Sequence, residues 1–498
     1  MPGSGLRRLA LPGAVLLALV IVFTIALVTR PGAAPRAPQG GQAAAVTSVI
    51  RSCPPGAPGS GTARVTMIAL PARAATGAGK TAAGAATLSS VPAAPVGGTA
   101  TGSTAKGKAK PSTATGPATV SAPGTVATVS AAGGAAVAAT GAMAEGFAAE
   151  QSDASGTGLV SCSHPGSDMW FVGTGRSAGA TQIWLYLMNT GTVTASANVT
   201  ILTDTGQQNG LSSAITVQPH QYVKENIAPL VSGSQAVALH VQANVGQVTA
   251  SAWEGANGGG AWLPQAGAPS RVQVIPGLTV ASSAARLFVV VPGSTDAQLK
   301  VVAYTQSGAV PQFPGNLIDA SAGAATPLAL NSLGASAAGL RLTASVPVVA
   351  GVLVPGTGIG SFTTAVAPVT EQGVVAGNPA SRGLTVGLLL TAPAAAATAS
   401  VSVISADGTV TKPPADQAVT VAAGHTLALA VPRPTADRQP FAVVVTPGAG
   451  SGPLYAVRAV TSGSGGLSAP AVSLLPVQSA PTTITLPPAR DSYQAVLP

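Results

Sequence analysis

At 498 residues the chain is longer than one domain usually needs, so several domains are expected. Only 7% of residues are charged and 3% aromatic, and the net charge of +9 is thinly scattered. No basic stripe interleaves with aromatics, which argues against a nucleic-acid partner. The apolar fraction of 46%, gathered in Val, Leu and Ile runs, excludes a wholly disordered chain.

The first element is an apolar run from Leu9 to Val28, twenty residues without a charge. At about 1.5 Å of rise per residue such a helix spans the roughly 30 Å hydrocarbon core of a membrane. Arg7 and Arg8 precede it, so the positive-inside rule leaves the N-terminus in the cytoplasm and the bulk outside. A cleaved signal peptide is the alternative, although its apolar region is usually only about 7–15 residues. Either way the remainder is exported, as a single-pass membrane protein or a secreted one.

Cys53 and Cys162 are the two cysteines of the chain, and an oxidising exterior favours their pairing. A bridge between them would clamp a short N-terminal β segment onto the start of the first repeat. Between them, residues 72–160 are almost entirely Ala, Gly, Thr, Ser, Pro and Val. That composition predicts a disordered, mildly cationic insert, with a transient helix over residues 131–151.

A threefold repeat follows, with a period near one hundred residues. Trp170-Phe-Val-Gly173, Val274-Ile-Pro-Gly277 and Val374-Val-Ala-Gly377 open the copies, their glycines 104 and 100 residues apart. Each opening leads to an apolar strand: IWLYLM from Ile183, LFVVV from Leu287 and GLLLT from Gly387. A second strand then ends in a turn, whose glycines are Gly206, Gly308 and Gly408. Each copy closes with two strands read as a hairpin, as at residues 236–255, 339–355 and 441–460. Six or seven short strands per hundred residues predict an all-β fold of three tandem β-sandwiches behind a transmembrane helix. A β-propeller, with two blades per copy, is the alternative. The domains expected are a cytoplasmic stub and anchor (1–30), a linker with a β segment (31–71), the insert (72–160), repeats at 161–266, 267–369 and 370–475, and a tail (476–498).

The stretches WFVGTG, IWLYLMNTG and ANVTILTDTGQ resemble Ig-like β repeats of bacterial surface proteins. The anchor, the Cys53-Pro54-Pro55 segment and CSHPGSDMWFVGTG together resemble an uncharacterised actinobacterial family of secreted or membrane-anchored proteins. That resemblance implies an envelope location and carries no assigned activity.

Catalytic signals are weak. Gly175-Arg176-Ser177-Ala178-Gly179 matches G-x-S-x-G, but a strand is expected after it where a nucleophile elbow needs a helix. Gly77-Ala-Gly79-Lys80-Thr81 lacks the first glycine of a phosphate loop. His164, His220, His240 and His425 lack metal-ligand spacing, and Asp204, Glu225 and Glu254 are the nearest approach to an acid pair. No catalytic residue, metal or cofactor is therefore expected. The better candidate is an aromatic patch. Alternation sends Trp184, Tyr186 and Met188 to one strand face, and His220 with Tyr222 is placed beside them. Core packing competes with a platform for a cell-wall glycan or an envelope protein. The function expected is a non-enzymatic structural, adhesive or ligand-binding array; an accessory of cell-wall glycan assembly is the second reading.

Overall fold

The computed structural model describes residues 42–71, 82–95, 118–154, 156–208, 213–257, 259–279, 285–313, 317–331, 333, 337–356, 358–411, 418–434, 438–463, 466–468 and 471–486. The apolar run from Leu9 to Val28 lies outside them. Among the described residues no helix is long and apolar enough to cross a membrane. The chain divides into two units, residues 1–44 with 485–498 and residues 45–484, and the second contains every feature considered below.

The described residues are all-β, with short 3-10 turns and no α-helix. Each repeat is built on eight recurring strand segments in two antiparallel sheets, and a further short strand (Ile215–Val217, Ile318–Ala320 and Val419–Val421) pairs into the first sheet of each copy. In the first repeat one sheet runs Asp168–Thr174, Ala236–Val245, Ala195–Thr203, Gly206–Gln208. Its second sheet runs Gln221–Asn226, Gln182–Asn189, Thr249–Ala256, Gly259–Leu263. In chain order these are strands 1-6-3-4 and 5-2-7-8. The third repeat keeps both orders, from Gly373–Asn378 to Ala471–Pro476. So does the second, from Ser270–Thr279 to Ser361–Thr364, where strands six and seven fuse into Ala337–Val354. The sheets are open and their strand order is not the sequential meander of a propeller blade, so the propeller alternative is unsupported. The expected closing hairpins are corrected as well: strands six and seven pair in different sheets.

The region expected to be a disordered insert holds the larger correction. Its described residues complete a fourth sandwich with the same two strand orders. One sheet runs Ser48–Cys53, Gly134–Thr140, Ala86–Val91, Ala118–Val120; the other runs Ala127–Ala131, Ala63–Ile68, Ala148–Ser152, Val160–Ser161. Residues 131–151, expected to be helical, instead hold strands six and seven around a 3-10 turn. Alternation explains the result: Val65, Met67, Val137, Ala135 and Ala139 all face one buried cluster. The predicted disulfide is present between Cys53 and Cys162. It joins the ends of the first and last strands of this sandwich, so it closes a complete domain rather than clamping a loose segment onto the first repeat. Residues 72–81 and 96–117 of the insert lie outside the described residues.

Strand two shows why the apolar runs are continuous. Leu287, Val289 and Val291 fill the core of their own repeat, while Phe288 and Val290 join the cluster of the first repeat. Leu388 and Leu390 likewise face inward and Leu389 joins the core of the second repeat. Each such strand is covered on both faces, so no polar alternation is needed. The same stacking closes the series: Val374, Ala376 and Val444 of the third repeat pack on Ile68 and Leu70 of the N-terminal sandwich. The four sandwiches form a ring, because the N-terminal one also packs against the first repeat through Val160, Tyr186 and Trp262. The tail contributes too, with Gln478–Ser479 pairing to Gly373–Asn378.

The turn glycines behave as their spacing predicts. Gly206, Gly308 and Gly408 have φ of 101°, 116° and 86°, values that side chains with a Cβ rarely adopt.

Candidate functional site

The aromatic face belongs to the 5-2-7-8 sheet of the first repeat. Strand register places Trp184 opposite Trp253, and Trp253 opposite Trp262, so three tryptophans form a row across strands two, seven and eight. Tyr186 packs against Trp262, with ring centroids 5.6 Å apart. The predicted separation of faces holds, since Ile183, Leu185 and Leu187 enter the repeat's own core.

What the row faces is the N-terminal sandwich. Tyr186 and Met188 are buried, and a Cβ on Gly134 would meet the Met188 methyl at 3.1 Å and the Tyr222 ring at 3.3 Å. Pro92 to Ala94 runs alongside Tyr222: the Tyr222 N–H donates to Pro92 O (3.0 Å), and the Ala94 N–H to Tyr222 O (2.8 Å). Burial raises the phenol pKa of Tyr186, and also that of Tyr222, so both rings stay neutral. Trp184 is half-buried. The Lys224 ammonium lies 3.7 Å above its ring centroid, and partial burial lowers that lysine's pKa. His220 is exposed, in the turn before Gln221–Asn226 with φ of 55°, and not on the strand with Tyr222. The patch that remains open is thus Trp184 with Lys224.

Sequence periodicity alone does not place Trp253 and Trp262 in this row. Only the pairing of strands seven and eight brings them there. The row ends at a cavity of about 420 Å3, where the eighth strands of the three repeats and the Asp153–Leu159 segment of the N-terminal sandwich converge. Trp253 and Trp262 line it, together with Ser60, Asp153, Ser361 and Ser473.

The acids expected as a potential pair do not converge. Asp204 Oδ1 accepts from the Gln235 N–H (2.8 Å), which pins the start of strand six. Glu225 sits on strand five opposite Leu185. Glu254 is fully buried inside the first repeat, where Thr174 donates to its Oε2 from both N–H (3.1 Å) and Oγ1 (2.8 Å). Burial pushes its carboxyl up to about 8, against the pull of those two hydrogen bonds. Gly173 makes room for it, since a methyl there would collide with the carboxyl.

A buried ion pair between two of the sandwiches is not legible in the sequence. Arg458 of the third repeat donates from Nη1 to Glu150 Oε2 of the N-terminal sandwich at 2.9 Å, and both side chains are almost fully buried. The N–H groups of Ala376 (3.0 Å) and Gly377 (3.2 Å) complete the Glu150 carboxylate. The pair locks the first and last sandwiches of the ring together. Ser177 of the G-x-S-x-G sequence is exposed on a 3-10 turn, Arg176–Ala178, whose N–H groups serve that turn and Ser234 O.

With this geometry in view, one comparison is informative. A model of a family of unknown function (DUF5719) matches residues 114–432, well over half of the chain. The chain belongs to that family. Its match begins just before strand four of the N-terminal sandwich and runs through strand five of the third repeat, so it takes in the tryptophan row, Glu150 and Glu254. No curated protein and no solved structure matches the chain. Family membership assigns it no activity.

Proposed function

We propose that this member of the family is a non-enzymatic, extracytoplasmic envelope protein whose ring of sandwiches serves as a structural and ligand-binding scaffold. The Cys53–Cys162 disulfide carries this reading. Both cysteines are buried in one core, and such bridges persist in oxidising compartments. The anchor read from Leu9 to Val28 tethers the scaffold to the membrane, with the N-terminus in the cytoplasm. The buried ionisable groups favour a scaffold too: Glu150 and Arg458 are used to join two sandwiches, and Glu254 is buried among sheet strands rather than lining a cleft.

The half-buried Trp184 under Lys224 favours a second reading, an accessory of cell-wall glycan assembly that binds polysaccharide or a membrane enzyme. Two experiments separate the readings. Thiol labelling of the denatured, unreduced protein from fractionated cells should find no free cysteine in the membrane fraction. Labelled thiols in a cytosolic protein would refute the location. Capture of partners from intact envelope by the wild-type chain, and their loss with Trp184→Ala, would support the accessory role; identical partners for both proteins would refute it.

A further inference from the structure

One junction of the ring differs in kind from the other three. All four use the same pair of faces, the 1-6-3-4 sheet of one sandwich against the 5-2-7-8 sheet of the next. Val172 of the first repeat lies against Gly351 of the second, and Gly277 of the second against Leu389 and Val457 of the third. Gly134 of the N-terminal sandwich lies against Met188 and Tyr222 of the first repeat, and Gly377 of the third repeat against Glu150 and Thr66 of the N-terminal sandwich. Head-to-tail use of one face pair closes a ring when the rotation per copy completes a turn. Three of these junctions carry a covalent linker, at residues 162–167, 264–269 and 365–372. The junction of the third repeat with the N-terminal sandwich carries none. It is a seam.

We propose that the ring opens at this seam, with the C-terminal tail and Glu371 as its clasp. The chemistry of the seam favours parting there. Where the linked junctions press Phe288, Val290 or Leu389 into a neighbouring core, the seam encloses the Glu150–Arg458 ion pair. Arg458 Nε and Nη2 have no hydrogen-bond partner among the described residues, so the guanidinium is only partly repaid for its lost hydration. Parting the seam returns both charges to water, whereas parting an apolar junction only exposes hydrocarbon. The apolar strip uncovered at the seam is short: Ile68, Leu70 and Val126 on one side, Val374, Ala376 and Val444 on the other.

The tail fastens the seam from outside. On the side of the N-terminal sandwich the Val46 N–H donates to Thr482 O (2.9 Å) and the Gly146 N–H to Pro481 O (3.2 Å). On the side of the third repeat the Ala480 N–H donates to Gln372 O (2.8 Å). Glu371 grips the same stretch. Its Oε2 accepts from the Thr482 N–H (2.9 Å) and Oγ1 (3.0 Å), and its Oε1 from Thr483 Oγ1 (2.8 Å). The φ of Glu371 is 49°, a left-handed conformation that a residue with a Cβ keeps only where its surroundings hold it. Backbone strain and three hydrogen bonds thus meet at the residue that ties the tail down.

The test is hydrogen exchange on the oxidised full-length chain, comparing strand one of the three repeats. Gly373–Asn378, at the seam, should exchange at least ~10-fold faster than Asp168–Thr174 and Ser270–Thr279, which occupy the same place at linked junctions. Glu371→Ala should speed Gly373–Asn378 a further ~3-fold or more and leave the other two strands unchanged. A covalent lock supplies the converse. A Cβ on Gly377 would lie 3.5 Å from that of Thr66, inside the disulfide range of roughly 3.5–4.5 Å. Thr66→Cys with Gly377→Cys should therefore bond on oxidation and slow Gly373–Asn378 to within ~2-fold of its counterparts. Thr66→Cys alone, buried while the seam is shut, should react with a small maleimide, and faster when Glu371→Ala is added. Equal exchange of the three first strands, no response to Glu371→Ala in either readout, failure of the two cysteines to bond, or unslowed exchange once they have bonded would each overturn the proposal.

Discussion

The N-terminal sandwich and the second repeat share one strand order and are held by different means. The second repeat has a core of Leu287, Leu299, Leu340, Leu342, Val289 and Val352, joined by Phe288 and Val290 at its outer face. The N-terminal sandwich encloses Ala86, Ala131, Ala135, Ala139 and Ala149 around a few larger residues such as Met67 and Phe147. Each buried methylene is worth roughly 0.8 kcal/mol, so the alanine-rich core gains much less from burial. Two links not found among the described residues of the second repeat compensate: a disulfide across the sandwich and a buried ion pair to its neighbour. The same topology thus tolerates a poor core where covalent and ionic ties replace packing.

That contrast can be broken from either side. Removing the disulfide by Cys53→Ser with Cys162→Ser should cost the N-terminal sandwich the most, on the order of 4–5 kcal/mol in the chain-entropy model for a bridge of sequence separation 109. Chemical denaturation should show an early transition assigned to residues 48–161, with the repeats unchanged. Next comes Glu150→Ala, which leaves Arg458 buried without its partner and should cost about 3–5 kcal/mol. Replacing both by leucine should restore most of that stability, as measured by the same denaturation. An unchanged midpoint in Glu150→Ala would mean the pair does not hold the ring.

Glu254 sharpens the comparison within the first repeat. Its carboxyl is raised to about 8 when folded, against about 4.5 in a free chain. The folded state holds a proton that the unfolded state has lost, so stability falls as pH rises from about 4.5 to about 8 and levels off above. Glu254→Gln should remove that slope and gain on the order of 2–4 kcal/mol at pH 9, read as melting temperature against pH. A parallel slope in the variant would place the proton elsewhere. The smallest effect belongs to Lys224→Ala, which removes an ammonium from a half-buried ring and should cost no more than about 1 kcal/mol.

The sequence revealed the repeats well because the glycines at 173, 277, 377 and at 206, 308, 408 do fixed geometric jobs. Their spacing survives where side chains vary. The fourth copy was hidden for two physical reasons. Long segments between strands two and four break the period, and alanine in place of valine or leucine erases the apolar alternation while reading as a helix former. The aromatic face was half legible. Alternation separates Trp184 and Tyr186 from Ile183 and Leu185, but the turn that carries His220 away from the strand leaves no mark in periodicity. Trp253 and Trp262 needed strand register, and Glu150 with Arg458 needed the ring itself, since 308 residues separate them.

The claim on which the rest depends is that residues 48–161 form a folded copy of the repeat. Hydrogen exchange on the oxidised full-length chain measures it directly. Amides of Ala86–Val91, Gly134–Thr140 and Ala148–Ser152 should be protected to the same degree as those of Gln182–Asn189 and Arg286–Val291. Exchange of those three segments at unfolded rates, while the repeats stay protected, would contradict it.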